Sequence, residues 1–213
     1  AFVEKFFLEH NLERFATNLY EHHQPFWYYV AVAVVGLMPW TVIAVRAVAA
    51  AMSDSLAEWK VRGNPKWYLG NFRAGDAFPE FLVLWALFPV VFFTFSKSKL
   101  PGYILPSIPP ITILTGDYLN RLREADKGIR PWLLVLHALL AGFTVTMVLL
   151  LPWFIFHAAG GMPPARVIVS ALVTGIATIV LILVIVGRFG VKRLRIATMV
   201  PLVILVFFLF GVG

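Results

Sequence analysis

The sequence predicts an all-α, polytopic membrane protein, with about six transmembrane helices preceded by an outer amphipathic helix. Three observations carry this. Hydrophobic residues make up 60% of the 213 and charged residues only 14%, and mean hydropathy is +0.84, far from the balance of a soluble domain. Several apolar runs reach or approach the roughly 20 residues that cross a ~30 Å hydrocarbon core. In lipid such runs must be helices, because nothing there satisfies loose backbone groups. Finally, the period-2 alternation of a membrane barrel is absent, and the basic residues collect in short connections between the runs.

Taken in order, residues 1–25 read as an extracytoplasmic amphipathic, juxtamembrane segment. Leu8, Leu12, Phe15 and Leu19 repeat at helical spacing and form one apolar stripe. The aromatic run Phe26, Trp27, Tyr28 and Tyr29 reads as the interfacial belt that seats the first span. Residues 26–213 then form a six-helix transmembrane domain, with spans at about 26–49, 80–95, 103–119, 131–157, 166–186 and 196–212. A cytoplasmic connection at about 50–79 alternates Trp59, Trp67, Tyr68 and Phe72 with basic residues, as in a segment lying at the headgroups. The second and third spans are short and proline-rich, which predicts tilt, kinks or partial burial in protein. No internal repeat is visible.

The 18 Lys and Arg fix an orientation. Arg46, Lys60, Arg62, Lys66 and Arg73 fall at or between spans one and two. Arg121, Arg123, Lys127 and Arg130 lie between three and four, and Arg188, Lys192, Arg193 and Arg195 between five and six. The opposite side holds only Lys5, Arg14, Lys97, Lys99 and Arg166. Basic loops face the cytoplasm, so residues 1–25, 96–102 and 158–164 are expected outside. The net charge of +7 is thereby explained by topology, without nucleic acid. With no cysteine there is no disulfide or thiolate metal site. The chain opens at Ala1 without a signal-peptide layout and stops at Gly213 directly after an apolar run, so it is expected to be a fragment of a longer protein.

The stretch 92–110, FFTFSKSKLPGYILPSIPP, is the strongest functional signal. It sets Lys97 and Lys99, with Tyr103 four residues on, at the boundary where lysine is disfavoured. Pro101 and Gly102 break the helix there and free backbone N–H groups for an anion. Lysine brings a point charge to a phosphate and tyrosine a neutral donor. The plain alternative is snorkelling, in which both lysines reach out to the headgroups. Pro106, Pro109 and Pro110 weigh against it, because the carbonyls they leave unpaired are tolerated mainly beside protein or a wet cavity.

On the first segment His10, Arg14 and Asn18 follow at i, i+4, i+8 along one wall, where the Arg14 guanidinium could grip a phosphate with two parallel bonds. A solvated helix with Arg14 paired to a glutamate is the alternative. His22 and His23 beside Glu21 raise zinc, but adjacent helical residues diverge by about 100° and the i,i+4 spacing of helical zinc sites is missing. His137 and His157 read as packed, hydrogen-bonded residues, and Asp117 with Arg121 as a helix-end pair. No Walker loop, Rossmann glycine pattern or HExxH is present. No complete catalytic set is visible.

The blocks HNLERFATNLYEHHQPFWYY and SKSKLPGYILPSIPP resemble the protein mannosyltransferase and aminoarabinose transferase-like family, integral-membrane glycosyltransferases of the GT-C architecture. The resemblance covers roughly the first half of the chain. It implies a polyprenyl-phosphate-linked sugar as donor, a lipid or protein acceptor, and chemistry on the outer face of what would be a bacterial inner membrane. By the same resemblance Arg14, Lys99 and Tyr103, with Lys97 as a weaker match, are lipid-phosphate contacts. His10, Asn11, His22 and His23 are candidate substrate-site residues. The family's catalytic carboxylates lie in a first outer loop that this chain does not contain, so no catalytic residue is assigned here and the base is expected upstream. No cofactor is implied with certainty, and a divalent metal stays an open option. A lipid-phosphate transporter or flippase, and a non-catalytic membrane scaffold, are the competing readings.

Overall fold

The computed structural model describes residues 24–62, 78–96, 99–156 and 162–211. All regular structure among them is helical: α1 (Tyr28–Gly36), α2 (Thr41–Arg62), α3 (Phe78–Thr94), a 3-10 helix (Pro101–Ser107), α4 (Ile108–Glu124), α5 (Pro131–Phe156), α6 (Ala165–Phe189), a short 3-10 turn (Val191–Arg193) and α7 (Leu194–Gly211). Two of these, α5 over Pro131–Ile155 and α6, are long and apolar enough to cross a membrane, and a third span exists if α1 and α2 are counted as one.

The first span departs from the sequence reading. Instead of one helix over 26–49, α1 and α2 meet at a bend of 113°. Pro39 is the physical reason, since it lacks the N–H that would continue the ladder and its ring clashes with the preceding turn. Past the bend α2 runs on through Arg62, so part of the expected connection at 50–79 is helical. The third span is likewise divided. Pro101 and Pro106 confine its start to a 3-10 helix, whereas Pro109 and Pro110 sit in the first turn of α4, where missing N–H groups cost nothing. The second half of α4 carries Asp117, Arg121, Arg123 and Glu124, which excludes it from a hydrocarbon core by composition. At 17 residues α3 is also short, and Pro89 interrupts it.

The chain divides into two compact units. The first comprises Ala1–Leu37 and Ala44–Tyr118, and the second Met38–Ile43 and Leu119–Gly213. In the first, Ala44, Ala86 and Ile111 form one buried cluster with Leu37 and Val48 against it, and Leu82, Val83 and Leu114 form another. Residues from α2, α3 and α4 thus share a core of small and branched side chains. The outer face of α3 shows Phe81, Leu84, Phe88 and Phe92 to the surroundings, which suits lipid.

In the second unit α5 and α6 lie antiparallel: Gly142 faces Gly175 and Ile179, while Thr146, one turn later, reaches the Ala171 carbonyl at 3.3 Å, one turn earlier. The crossing is closed by small residues, as membrane helices without a hydrophobic driving force require. His137, fully buried on α5, is hydrogen-bonded through both ring nitrogens, to the Pro39 carbonyl at 3.0 Å and to Thr198 Oγ1 of α7 at 2.9 Å. The Trp40 ring lies 4.8 Å away. The packed, hydrogen-bonded role expected for His137 is what the structure shows; His157 lies outside the described residues.

Candidate functional site

The site that can be built lies in the first unit, where α3 ends. After Thr94 the chain leaves the helix through two short turns, Phe95 N–H to Phe92 O and Ser96 N–H to Phe93 O. Leu100 is extended, and Pro101 then starts the 3-10 helix that carries Tyr103. The sequence KLPGY thus folds as a strand-like step followed by a tight turn, because proline permits the turn's start and forbids the extension of α3.

This path turns Lys99 inward. Its side chain is only 8% exposed, and Nζ donates to the Ser96 carbonyl at 2.8 Å and the Gln24 carbonyl at 3.3 Å. The snorkelling alternative is therefore not what Lys99 does. An ammonium has three donors, so two carbonyls leave one donor over. Among the described residues no carboxylate is paired with it. A cation taken out of water is costly unless an opposite charge meets it, so a buried Lys99 is suited to an anion.

Tyr103 follows as the third residue of the 3-10 helix. Its ring packs at 4.7 Å on Phe93, which in turn lies 6.5 Å from the ring of Tyr29. Tyr29 is fully buried, and its hydroxyl makes no hydrogen bond of good geometry among the described residues; its polar neighbours are the Leu100 backbone and the hydroxyls of Tyr103 and Tyr28. The arrangement therefore offers one cation, two phenols and the start of a 3-10 helix within one corner. Chemically it can hold an oxyanion.

Of the residues expected from the sequence, Lys99 and Tyr103 are brought into this corner. His10, Asn11, Arg14, His22, His23 and Lys97 lie outside the described residues. Among the described residues no three His, Cys, Asp or Glu side chains converge on a point that a metal could occupy. Sequence reasoning missed Gln24, Ser96 and Tyr29. The first two act through backbone carbonyls, which leave no sequence signal. Tyr29 was hidden in an aromatic run: Phe26 at 78% exposure and Trp27 at 54% fit an interfacial belt, but Tyr29 belongs to the interior.

Comparison with known proteins finds relatives over much of the chain. The chain is 34% identical over 151 residues to the undecaprenyl phosphate-alpha-4-amino-4-deoxy-L-arabinose arabinosyl transferase of Edwardsiella ictaluri, a match over 70% of this chain and 24% of the relative. The protein of the same name from Enterobacter sp. is 28% identical over 155 residues, covering 72% and 25%. A Sodalis glossinidius counterpart is 30% identical over 184 residues, covering 81% and 28%. The chain thus spans about a quarter of the length of the curated relatives it matches. No family profile matches the chain, and no solved structure does.

Proposed function

Because the chain is a homologue of the undecaprenyl phosphate-aminoarabinose arabinosyl transferases, a group of GT-C glycosyltransferases, we propose that it forms part of an integral-membrane enzyme that moves a sugar from a polyprenyl-phosphate donor to a lipid or protein acceptor. In this reading the present residues hold the lipid phosphate. The observation that carries it is Lys99, a buried ammonium that gives two of its three donors to carbonyls among the described residues, four positions before Tyr103.

Transfer breaks the bond between the anomeric carbon and the phosphate oxygen and forms a bond from that carbon to the acceptor oxygen. The acceptor proton passes to a base, and the phosphate leaves with one more negative charge than it had as a diester. Lys99 meets that charge as it develops, and Tyr103 donates a hydrogen bond to the same group. Because both are already in position, little reorganisation is needed at the moment of bond cleavage. Arg14 and Lys97, from the two flanking segments, complete the proposed cradle, and the transfer takes place on the outer face, where few other cations are found.

The test is a transfer assay with the full-length protein in detergent, using a polyprenyl-phosphate-linked aminoarabinose donor. Lys99→Met is expected to lower kcat/KM by about 100-fold and Tyr103→Phe by about 10-fold, the range for losing a charged and a neutral donor to a phosphate. Wild-type transfer with both variants silent would leave a scaffold role for this segment. Movement of the lipid phosphate across vesicles with no sugar transferred would favour the flippase.

A further inference from the structure

The second unit contains a cavity of about 120 Å³ that none of the residues of the Lys99 corner lines. It is formed where the connection after α4 meets the connection after α6. Arg123, Lys127 and Lys192 bring three cations to its wall, against one carboxylate, Asp126. Leu122 and Phe189 supply an apolar side.

We infer that this cavity binds the phosphate of an anionic phospholipid headgroup in the leaflet that the basic connections face. Three arguments converge. First, among the described residues neither an ion pair nor a side-chain hydrogen bond ties up Arg123, Lys127 or Lys192, so their donors are available. Asp126 sits in the left-handed region at φ 49°, in the turn that carries Lys127 N–H to the Leu122 carbonyl at 2.9 Å, and Gly190, at φ 72°, makes the facing turn. Both connections are thus held in folded turns, and the cations are presented from two fixed positions. Second, Phe189 is the last residue of a 25-residue apolar helix, which puts the cavity at the level where hydrocarbon gives way to headgroups. A phosphate bound by the cations would have its acyl chains beside the exposed Phe189 ring. Third, both connections belong to the basic set assigned to the cytoplasmic side, where anionic lipid attracts Lys and Arg at the surface. Scattered loop cations would satisfy that rule without meeting in a cavity; here two connections more than sixty positions apart in the sequence bring theirs together.

The inference is tested by native mass spectrometry of the full-length protein in detergent with phosphatidylglycerol as probe. The pair Lys127→Gln and Lys192→Gln is expected to weaken the first bound lipid on the order of 10-fold. The charge-matched pair Arg130→Gln and Arg195→Gln, close in sequence to the same residues but outside the cavity wall, is expected to leave it within about 2-fold. Equal losses from both pairs would overturn the inference, since general surface charge would then explain the binding. Equal retention of phosphatidylcholine by the wild type would overturn it too, as would displacement of the lipid by millimolar inorganic phosphate, which would make free phosphate the ligand. Thermal unfolding of both paired variants confirms that the proteins compared are folded.

Discussion

At the scale of single residues, the polar groups placed inside this chain are each committed to a task by their surroundings. His137 shows how. Its Nδ1 faces a carbonyl, which can only accept, so that nitrogen must carry a proton. In the neutral ring Nε2 is then an acceptor, and the Thr198 hydroxyl has two claims on its single proton: Nε2, and the Leu194 carbonyl at 2.9 Å. The carbonyl belongs to a helix whose own N–H groups can serve it, so the histidine is the partner that needs the threonine. His137→Ala is therefore expected to cost about 1–3 kcal/mol by leaving the Pro39 carbonyl without its donor and opening space beside Trp40. Thr198→Val should cost about 0.6 kcal/mol, the usual worth of an interhelical side-chain bond in a membrane protein. Denaturant titration in detergent micelles, run as a double-mutant cycle, checks both; additive losses would show that the pair is not coupled. The sequence made His137 legible as a packed residue, because a lone histidine in an apolar run has to be hydrogen-bonded. Its partners, 98 and 61 positions away, were not legible, since only helix packing brings them near. Lys99 and Tyr103 were legible by the same logic of residues out of place, and the carbonyls of Gln24 and Ser96 that turn Lys99 inward were not.

At the scale of elements, hydropathy reveals where helices can lie in lipid but not whether they are continuous. The run over 26–49 is apolar throughout, yet Pro39 divides it, and the two halves diverge by 113°. Hydropathy also says little about which faces meet. The α5–α6 crossing depends on Gly142 and Gly175, two ordinary glycines in apolar runs. A Cβ on Gly142 would lie 2.5 Å from Ile179 Cγ1 and 2.7 Å from the Gly175 carbonyl; one on Gly175 would collide with Thr146 Oγ1 and lie 2.8 Å from the Gly142 carbonyl. Backbone carbonyls cannot swing aside as a side chain can, so the helices would have to part. Gly142→Ala and Gly175→Ala are each expected to destabilise by about 1–3 kcal/mol, the usual range for overpacking. Gly187→Ala, whose Cβ meets nothing within 4 Å on the same helix as Gly175, should be neutral or stabilising by up to about 1 kcal/mol through helix propensity alone. Unfolding midpoints of the three variants separate the two effects: a loss at Gly187 equal to that at Gly175 would mean that the close crossing is not what the glycines provide.

At the scale of the whole molecule, function rests on which side each connection faces, and this is where composition and structure can be joined. Thirteen of the 18 Lys and Arg fall in one set of connections, which the positive-inside rule assigns to the cytoplasm. Within the second unit the antiparallel pair α5 and α6 gives that assignment a geometric consequence. The start of α5 and the end of α6 share one end of the pair, and there Arg123, Lys127 and Lys192 line a common cavity. Met162, just before α6, must therefore lie at the opposite end, since a 25-residue helix spans about 37 Å. The chain contains no cysteine, so a single introduced thiol reports one position without background from this segment. In intact cells stripped of their outer barrier, a membrane-impermeant maleimide is expected to label Met162→Cys at once and Gly128→Cys only after the membrane is opened. The reversed pattern would place the basic connections of this unit outside and remove the ground for a headgroup site on the cytoplasmic leaflet. Labelling of both without opening would mean that α5 and α6 do not cross at all, despite their length. The expected pattern would put the cavity of Arg123, Lys127 and Lys192 on the side where anionic lipid draws basic loops, which is what a headgroup site there requires.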